Sequence, residues 1–222
     1  GANGSIIHYK PNRKSSVLKK GELYLCDSGG QYYGGTTDIT RTIYLGDKPP
    51  ETLKLIYTKV LLGHLNISML KFPAGTRGYQ LDSIARFNLW NDGLDYNHGT
   101  GHGVGSFLGV HEGPQSISKN PNNVSLKPGM IISNEPGFYK NKSFGIRIEN
   151  LVLVKKSLFN NYFEFETLSL FPYELKLISF NLLNRAQKDW IRKYHNHVFT
   201  KVSNLLDKKH NEWLKKKIQI NN

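Results

Sequence analysis

The sequence has little cysteine, no long hydrophobic run and no low-complexity tract. Its 222 residues contain one Cys, which excludes an internal disulfide framework and favours a reducing compartment. No apolar run approaches the roughly 18 residues needed to cross a bilayer, which argues against a membrane protein. The opening residues GANGS show none of the charged or apolar segments of a secretion signal. These absences predict a cytoplasmic protein, although a targeting segment in a longer precursor would allow a vacuolar or lysosomal location.

The formal net charge is +13, and its placement along the chain decides what it means. Residues 10–20 have five Lys or Arg and no acid, and residues 176–222 have eleven against three acids. Residues 21–150 are close to neutral, with twelve bases and eleven acids. Lys outnumbers Arg by 23 to 7, whereas nucleic-acid binding usually needs Arg forks on a continuous basic face. The sequence therefore argues against a nucleic-acid partner.

Hydrophobic periodicity predicts an α+β protein with two hairpins and helices between and after them. The predicted strands cover residues 22–27, 36–45, 129–134, 145–154 and 163–171, and the predicted helices cover 51–70, 81–91 and 182–217. No linker divides the chain. We therefore expect one domain over residues 1–175, with a basic helical extension over residues 176–222 packed on it.

Each predicted hairpin carries two carboxylates placed symmetrically about its turn: Asp27 with Asp38, and Glu135 with Glu149. Each pair is expected to face across its ladder, with Cβ atoms about 4.5–5.5 Å apart. Like charges at that separation destabilise a sheet, and the surrounding residues are apolar, so a divalent cation is indicated. The alternative is four independent surface carboxylates.

Three histidines lie within fourteen residues, in and after the segment HGTGHGVG (98–105): His98, His102 and His111. The four glycines allow close backbone approach and positive φ angles. A single loop histidine is usually a solvated bystander, but this cluster favours His102 as a nitrogen ligand. Four carboxylates and one imidazole are typical of a dinuclear site, in which two ions about 3.5–4 Å apart activate a shared water. Such a set suits Mn²⁺ and would accept Co²⁺ or Zn²⁺.

The motifs together resemble those of the pita-bread metallopeptidases, in particular the aminopeptidase P (Xaa-Pro aminopeptidase) branch. They are YLCDSGGQYYGGTTDITRT (24–42), HGTGHGVGSFLGVHEGP (98–114), SNEPGFY (133–139), FGIRIEN (144–150) and FEFETLSLFPYE (163–174). The resemblance implies a curved antiparallel sheet flanked by helices, and an aminopeptidase that removes the residue preceding a proline. A prolidase-type dipeptidase and a non-catalytic binding module on the same scaffold are the alternatives.

The resemblance also implies a role for each ligand. Asp27 would bind one metal, Asp38 and Glu149 would bridge both, and His102 and Glu135 would complete the second. A water or hydroxide held between the ions would attack the scissile carbonyl, with Glu135 as the general base.

The same resemblance places further residues around the substrate. His98 and His111 would hold the peptide or protonate the leaving proline nitrogen, and His111 is favoured for proton transfer and oxyanion stabilisation. His8 would lie near the substrate end of the pocket. Arg147 shares a strand face with Glu149 and would either orient the carboxylates or form a plain cross-strand ion pair.

The length departs from the family pattern, because 26 residues precede Asp27. The first elements of the pita-bread fold are therefore expected to be missing. We expect the chain to associate with the N-terminal remainder of its own protein and, as in the family, to form homodimers.

Overall fold

A computed structural model describes residues 1–107 and 109–219. Its strands are β1 Leu23–Tyr32, β2 Gly35–Tyr44, β3 Lys71–Pro73, β4 Gly101–His102, β5 Ser116–Ile117, β6 Ile131–Asn134, β7 Gly137–Lys140, β8 Phe144–Arg147, β9 Asn150–Lys156 and β10 Tyr162–Thr167. Its α-helices are α1 Glu51–Ser68, α2 Tyr79–Trp90, α3 Arg185–Val202 and α4 Lys208–Ile218. The predicted α+β class is confirmed, with antiparallel ladders flanked by helices.

Helices α1 and α2 lie where the periodicity predicts them. Pro50 precedes α1, and Glu51 in its first turn complements the helix dipole. The prediction of one long helix over 182–217 is wrong in one respect, because this segment forms two helices, α3 and α4. The Asp207 side chain accepts a hydrogen bond from the His210 backbone N–H, so it starts a new helix at the position where the first would have continued.

The first hairpin has a register different from the predicted one. Asp27 pairs with Thr40, and Asp38 pairs with Gly29, so the two carboxylates are diagonal rather than directly opposite. The turn lies one residue later than the centre expected at Tyr32–Tyr33. Moving the turn by one residue shifts the pairing by two, which keeps both acids on the same face of the ladder.

The second hairpin keeps the predicted register on both sides of Glu135 and Glu149. Gly137 pairs with Arg147, and Asn134 pairs with Asn150, so the two glutamates are opposite each other between these ladders. The strand predicted over 145–154 is nevertheless interrupted, since β8 ends at Arg147 and β9 begins at Asn150. The interruption frees Glu149 from ladder pairing and lets its backbone N–H donate to Thr40 of the first hairpin.

The largest sheet has the order β3–β10–β9–β6, and β1–β2, β4–β5 and β7–β8 form separate two-stranded ladders. One hydrophobic cluster lies around α1 and includes residues of α3, while a second lies between α2 and the four-stranded sheet. Among the described residues, no helix is both long enough and apolar enough to cross a bilayer. The two hairpins meet on the side of β2 that faces β8 and β9, and the candidate ligands converge there.

Candidate metal centre

The predicted ligands line one cavity with a volume of about 420 Å³. Its walls include all five predicted ligands, two of the predicted substrate histidines and the predicted arginine: Asp27, Asp38, His102, Glu135, Glu149, His8, His111 and Arg147. His98 is not among the lining residues. Residues separated by more than 140 positions in the chain are therefore brought into one space by the N-terminal segment, the two hairpins, β4 and the loop that follows β4.

Glu149 and Asp38 are the buried acids of this cavity, with 2% and 8% of their surfaces exposed. Donor atoms of Asp38, His102 and Glu149 all lie within 4.8 Å of one another. The Thr40 hydroxyl donates to Glu149 Oε2 at 2.6 Å, whereas the buried Oε1 has no hydrogen-bond partner among the residues that the structure describes. Burial, together with the nearby Glu135 and Asp38, raises the pKa of Glu149 well above its usual value. A buried carboxylate with a free oxygen among like charges has the environment of a cation ligand.

His102 is oriented for ligation through Nε2. Its Nδ1–H donates to the Gly103 carbonyl at 3.0 Å, and Nε2 lies 3.5 Å from Asp38 and 3.2 Å from Glu135. Burial lowers the pKa of His102, but the adjacent Asp38 and Glu135 carboxylates outweigh it and raise the pKa to about 10. In the metal-free protein the imidazole therefore carries a proton on the atom that a metal would use, so metal binding must release that proton.

Glu135 follows β6, and Ser133 fixes its side chain. The Ser133 hydroxyl donates to Glu135 Oε1 at 3.0 Å, and the Glu135 backbone N–H donates to Thr100. Burial raises the pKa of this carboxyl, but His102 more than compensates and lowers it overall. Glu135 is consequently ionised near neutral pH, as a ligand or a general base must be.

Asp27 is the most accessible of the four acids, with 42% of its side chain exposed. Arg147 Nη2 donates to Asp27 Oδ2 at 2.6 Å, although β1 and β8 belong to different ladders. Arg147 Nε also donates to the Thr40 hydroxyl, and that hydroxyl donates to Glu149. Arg147 thus reaches carboxylates of both hairpins, which favours the orienting role over a plain cross-strand pair.

The predicted substrate histidines occupy two places. His111 is stacked edge-on against His102 with ring centroids 4.3 Å apart, and His8 lies 6.0 Å beyond His111. His98 lies behind the wall, where its Nε2 is 2.9 Å from the Tyr139 hydroxyl. The structure brings His8 and His111 to the cavity, whereas His98 is linked to the cavity-lining Arg147 through the Tyr139 hydroxyl.

Sequence reasoning missed two residues that organise the site, Thr40 and Tyr139. The Tyr139 hydroxyl accepts from Arg147 Nη1 at 2.8 Å and also meets His98. Thr40 shares the face of Asp38 on β2 and contacts Glu149. Alternation along β2 could have indicated Thr40, but nothing local indicates Tyr139, because its partners are on distant segments.

The glycines around His102 serve close packing rather than unusual backbone angles. A Cβ on Gly101 would lie 1.9 Å from the Ser133 carbonyl oxygen, and one on Gly103 would lie 2.1 Å from the Glu112 carbonyl oxygen. The positive φ angles expected in this loop are absent from its glycines, since the described glycines with positive φ are elsewhere. The expected close approach is confirmed, and it presses β4 against β6 so that His102 faces the carboxylates.

The donor set fits divalent cations. Four carboxylates and an imidazole converge, and one buried oxygen lacks a partner within the described ranges. The bond from His102 Nδ1–H to Gly103 turns Nε2 toward the carboxylates. Oxygen-rich ligation with one imidazole is typical of Mn²⁺ and related divalent ions. The fold and this donor set together define a metallopeptidase-type centre.

Comparison with known proteins assigns the chain to a family. The model of metallopeptidase family M24 matches residues 1–156, and the model of the C-terminal region of the M24 peptidases matches residues 161–220. Since the first match covers more than half of the sequence, this chain belongs to metallopeptidase family M24.

Several known proteins are similar to most or nearly all of the chain. A probable Xaa-Pro aminopeptidase P of Coprinopsis cinerea is 51% identical over 227 residues, covering 97% of this chain and 36% of the relative. An X-prolyl aminopeptidase of Caenorhabditis elegans, described as a cytosolic enzyme with a di-nuclear active site, has a TM-score of 0.92 at 37% identity. That match covers 99% of this chain and 37% of the worm enzyme. Prolidase from Pyrococcus furiosus has a TM-score of 0.63 at 35% identity, covering 73% of this chain and 45% of the prolidase. The chain spans about a third of the length of the aminopeptidases it matches.

Proposed function

We propose that this chain forms the catalytic part of a metal-dependent aminopeptidase that hydrolyses the bond between an N-terminal residue and a following proline. The observation that carries the proposal is the convergence of Asp27, Asp38, His102, Glu135 and Glu149 on one cavity. The two M24 matches and the likeness to X-prolyl aminopeptidases support it.

The ligand roles follow the family pattern. Asp27 would hold one ion, His102 and Glu135 would hold the other, and Asp38 and Glu149 would be shared by both. The proximity of Asp38, His102 and Glu149 donor atoms supports that arrangement. Two divalent ions, when bound, would polarise the scissile carbonyl and activate a water. Mn²⁺ is our proposed ion, because the donor set is rich in oxygen.

The protein groups then handle protons and position the peptide. Glu135 is ionised and fixed by Ser133, so its carboxylate can accept the proton of the attacking water. His111 faces the cavity beside His102 and is placed to donate a proton to the departing proline nitrogen or stabilise the oxyanion. His8 lies farther along the same wall and would contact the substrate. His98 would act on the substrate only indirectly, by orienting Tyr139 and Arg147.

The test uses the chain together with any polypeptide that co-purifies with it. After chelation and return of Mn²⁺, release of the first residue from an Xaa-Pro-Pro peptide is followed by mass spectrometry, with an Xaa-Ala-Pro peptide alongside. Asp38→Asn should abolish release. Asp47→Asn is the matched control, because the Asp47 side chain is exposed and lies outside the cavity.

Each outcome decides between the candidate functions. Metal-dependent release confined to the Xaa-Pro peptide and lost in Asp38→Asn supports the aminopeptidase. Cleavage of Xaa-Pro dipeptides alone would support the prolidase alternative, which the similarity to the Pyrococcus furiosus enzyme favours as second candidate. No cleavage by a folded, Mn²⁺-loaded protein would support the non-catalytic binding module.

The remaining proposals concern organisation. We infer a catalytic unit over residues 1–175 and a helical extension over 176–222. We also infer homodimers, a cytoplasmic location and a role in peptide catabolism. Family resemblance supports the dimer, and the cytosolic description of the worm enzyme supports the location. Light scattering of the purified chain and fractionation of cells would test these two proposals.

A further inference from the structure

Arg41 is a buried guanidinium directly behind the candidate metal centre. Four per cent of its surface is exposed, and it lies on β2 next to Thr40. Its six hydrogen bonds in the described part of the chain all end on carbonyl, amide or hydroxyl oxygens: those of Thr40, Glu149, Asn150, Phe171, Pro172 and Tyr194. Burying a cation without a carboxylate partner is costly, so its fixed position calls for an explanation.

One side of the guanidinium holds the chain at Glu149. Nη1 donates to the Glu149 carbonyl at 2.5 Å, and Nη2 donates to the Asn150 side-chain oxygen at 2.8 Å. Thr40, the residue before Arg41, accepts from the Glu149 N–H with its carbonyl and donates to Oε2 with its hydroxyl. Two adjacent residues of β2 therefore fix the backbone of Glu149 on both sides and one of its carboxylate oxygens.

The other side of the guanidinium contacts the C-terminal region. Nη2 donates to the Phe171 carbonyl at 2.6 Å and to the Tyr194 hydroxyl at 3.1 Å. Nε donates to the Pro172 carbonyl, and the Tyr173 ring lies 5.0 Å from the guanidinium carbon. The Tyr194 hydroxyl, on α3, also donates to the Phe171 carbonyl at 2.8 Å. A planar fork can satisfy this set of acceptors, whereas an ammonium group cannot.

We propose that Arg41 is a positioning residue through which α3 and the segment 171–173 hold Glu149 in its ligating position. The inference rests on the proposed function, in which Glu149 is a metal ligand. It assigns the C-terminal region a part in metal binding, although no residue described between 161 and 219 lines the cavity. The alternative is that Arg41 merely stabilises the core.

The experiment measures Mn²⁺ binding by the metal-free chain together with any polypeptide that co-purifies with it. Electron paramagnetic resonance of free Mn²⁺ reports the binding, and thermal unfolding and hydrolysis are measured in parallel. Arg41→Lys should weaken Mn²⁺ binding by about 10- to 100-fold, the range found when partners of ligands are changed. Tyr194→Phe removes one hydroxyl and keeps the ring. It should weaken Mn²⁺ binding by roughly three- to tenfold, which is less than the effect of Arg41→Lys.

Tyr57→Phe is the matched control for a merely structural effect. Its hydroxyl is also buried and also contacts the C-terminal region, but it accepts from the Glu174 N–H rather than from Arg41. We expect its Mn²⁺ affinity to stay within about twofold of the unchanged chain, since the removed contact does not reach Glu149. If Arg41→Lys does not fold, the Mn²⁺ affinity of Tyr194→Phe alone decides the test.

The proposal is overturned if folded Tyr194→Phe binds Mn²⁺ like the unchanged chain, or if Tyr57→Phe weakens binding as much as Tyr194→Phe does. Failure of the proposed function is a separate result: a chain that binds Mn²⁺ but hydrolyses no peptide. In that case the variant affinities still decide the role of Arg41. An unchanged chain that binds no Mn²⁺ would overturn both.

Discussion

The two hairpins hold their carboxylates in different ways. In the second hairpin, Glu135 and Glu149 are opposite each other, and Glu149 is buried with one oxygen that has no partner in the described part of the chain. In the first hairpin, Asp27 and Asp38 are diagonal, and Asp27 is partly solvated and paired with Arg147. In the first hairpin, burial raises the pKa of Asp27, but the Arg147 guanidinium opposes that rise and the side chain is 42% exposed. The second hairpin depends on a cation, because Glu149 is buried in it. Removal of metal should therefore change the stability of the two hairpins unequally.

The largest expected effect comes from Glu149→Gln. Loss of this carboxylate should lower Mn²⁺ affinity by more than about 100-fold, beyond the range for residues that only support ligands, and abolish hydrolysis. In the metal-free protein the same change should raise the free energy of unfolding by about 1–3 kcal/mol, since an amide donor replaces an unpartnered buried oxygen facing Asp38. Calorimetric titration with Mn²⁺ and chemical denaturation in chelator would measure the two effects. A metal-free variant less stable than the unchanged chain would contradict the comparison.

Asp27→Asn should have a smaller effect and no stabilising component. We expect a loss of roughly 10- to 100-fold in the affinity of one Mn²⁺ ion, while the other still binds. The metal-free stability should change by less than about 1 kcal/mol, because the side chain at position 27 is 42% exposed and the asparagine oxygen can still accept from Arg147. The same titration should resolve one weakened and one retained site. Equal loss at both sites would break the proposed division of ligands.

The first hairpin also shows what the sequence could predict of the site and what it could not. Alternation placed Asp27 and Asp38 on one face, and the face is correct even though the turn lies one residue later than expected. A period of two tolerates a register shift of two, so the convergence was predictable while the distance between the acids was not.

Arg41 and Tyr139 were not predictable, for a different reason. Arg41 acts through residues more than 100 positions away, at Glu149 and Tyr194. Tyr139 joins His98 to Arg147 across separate segments. A strand pattern predicts which face of the sheet a side chain occupies. It does not predict which distant residue that side chain will bond, because such hydrogen bonds leave no periodic signal in the sequence. The motifs indicated the ligands, whereas the groups that hold those ligands required the fold.

The third effect concerns pH and involves a histidine of α1 that contacts the second hairpin. His64 is fully buried behind it, donating from Nδ1 to the Asn134 carbonyl and accepting from the Tyr173 hydroxyl at Nε2. Burial lowers the pKa of His64 to about 3. The unfolded chain therefore binds the proton more readily, so stability is complete above about pH 6.5 and falls as the pH decreases toward 3.

The expected loss between pH 7 and pH 5 is on the order of 2 kcal/mol in the free energy of unfolding. His64→Gln should flatten this part of the denaturation profile in chelator, because the amide retains hydrogen-bonding capacity and does not titrate. His197→Gln, at an exposed position of α3, serves as the control and should keep the slope of the unchanged chain. If His64→Gln kept the slope of the unchanged chain, the loss of stability at low pH would come from protonation of other groups.

The smallest effect is expected at the tip of the first hairpin. Tyr33 is 99% exposed and stacks on Phe107 with ring centroids 6.0 Å apart, so its ring contributes to neither hydrophobic cluster. Tyr33→Ser should change the free energy of unfolding by less than about 0.5 kcal/mol and leave Mn²⁺ affinity unchanged. Tyr139→Phe, in the second hairpin, removes a hydroxyl shared by His98 and Arg147 and should cost about 1 kcal/mol. If Tyr33→Ser proved the more damaging of the two in urea denaturation, the tip of the first hairpin would have to be packed in solution. The two hairpins would then differ in the segments that they contact, and not in how deeply their carboxylates are buried.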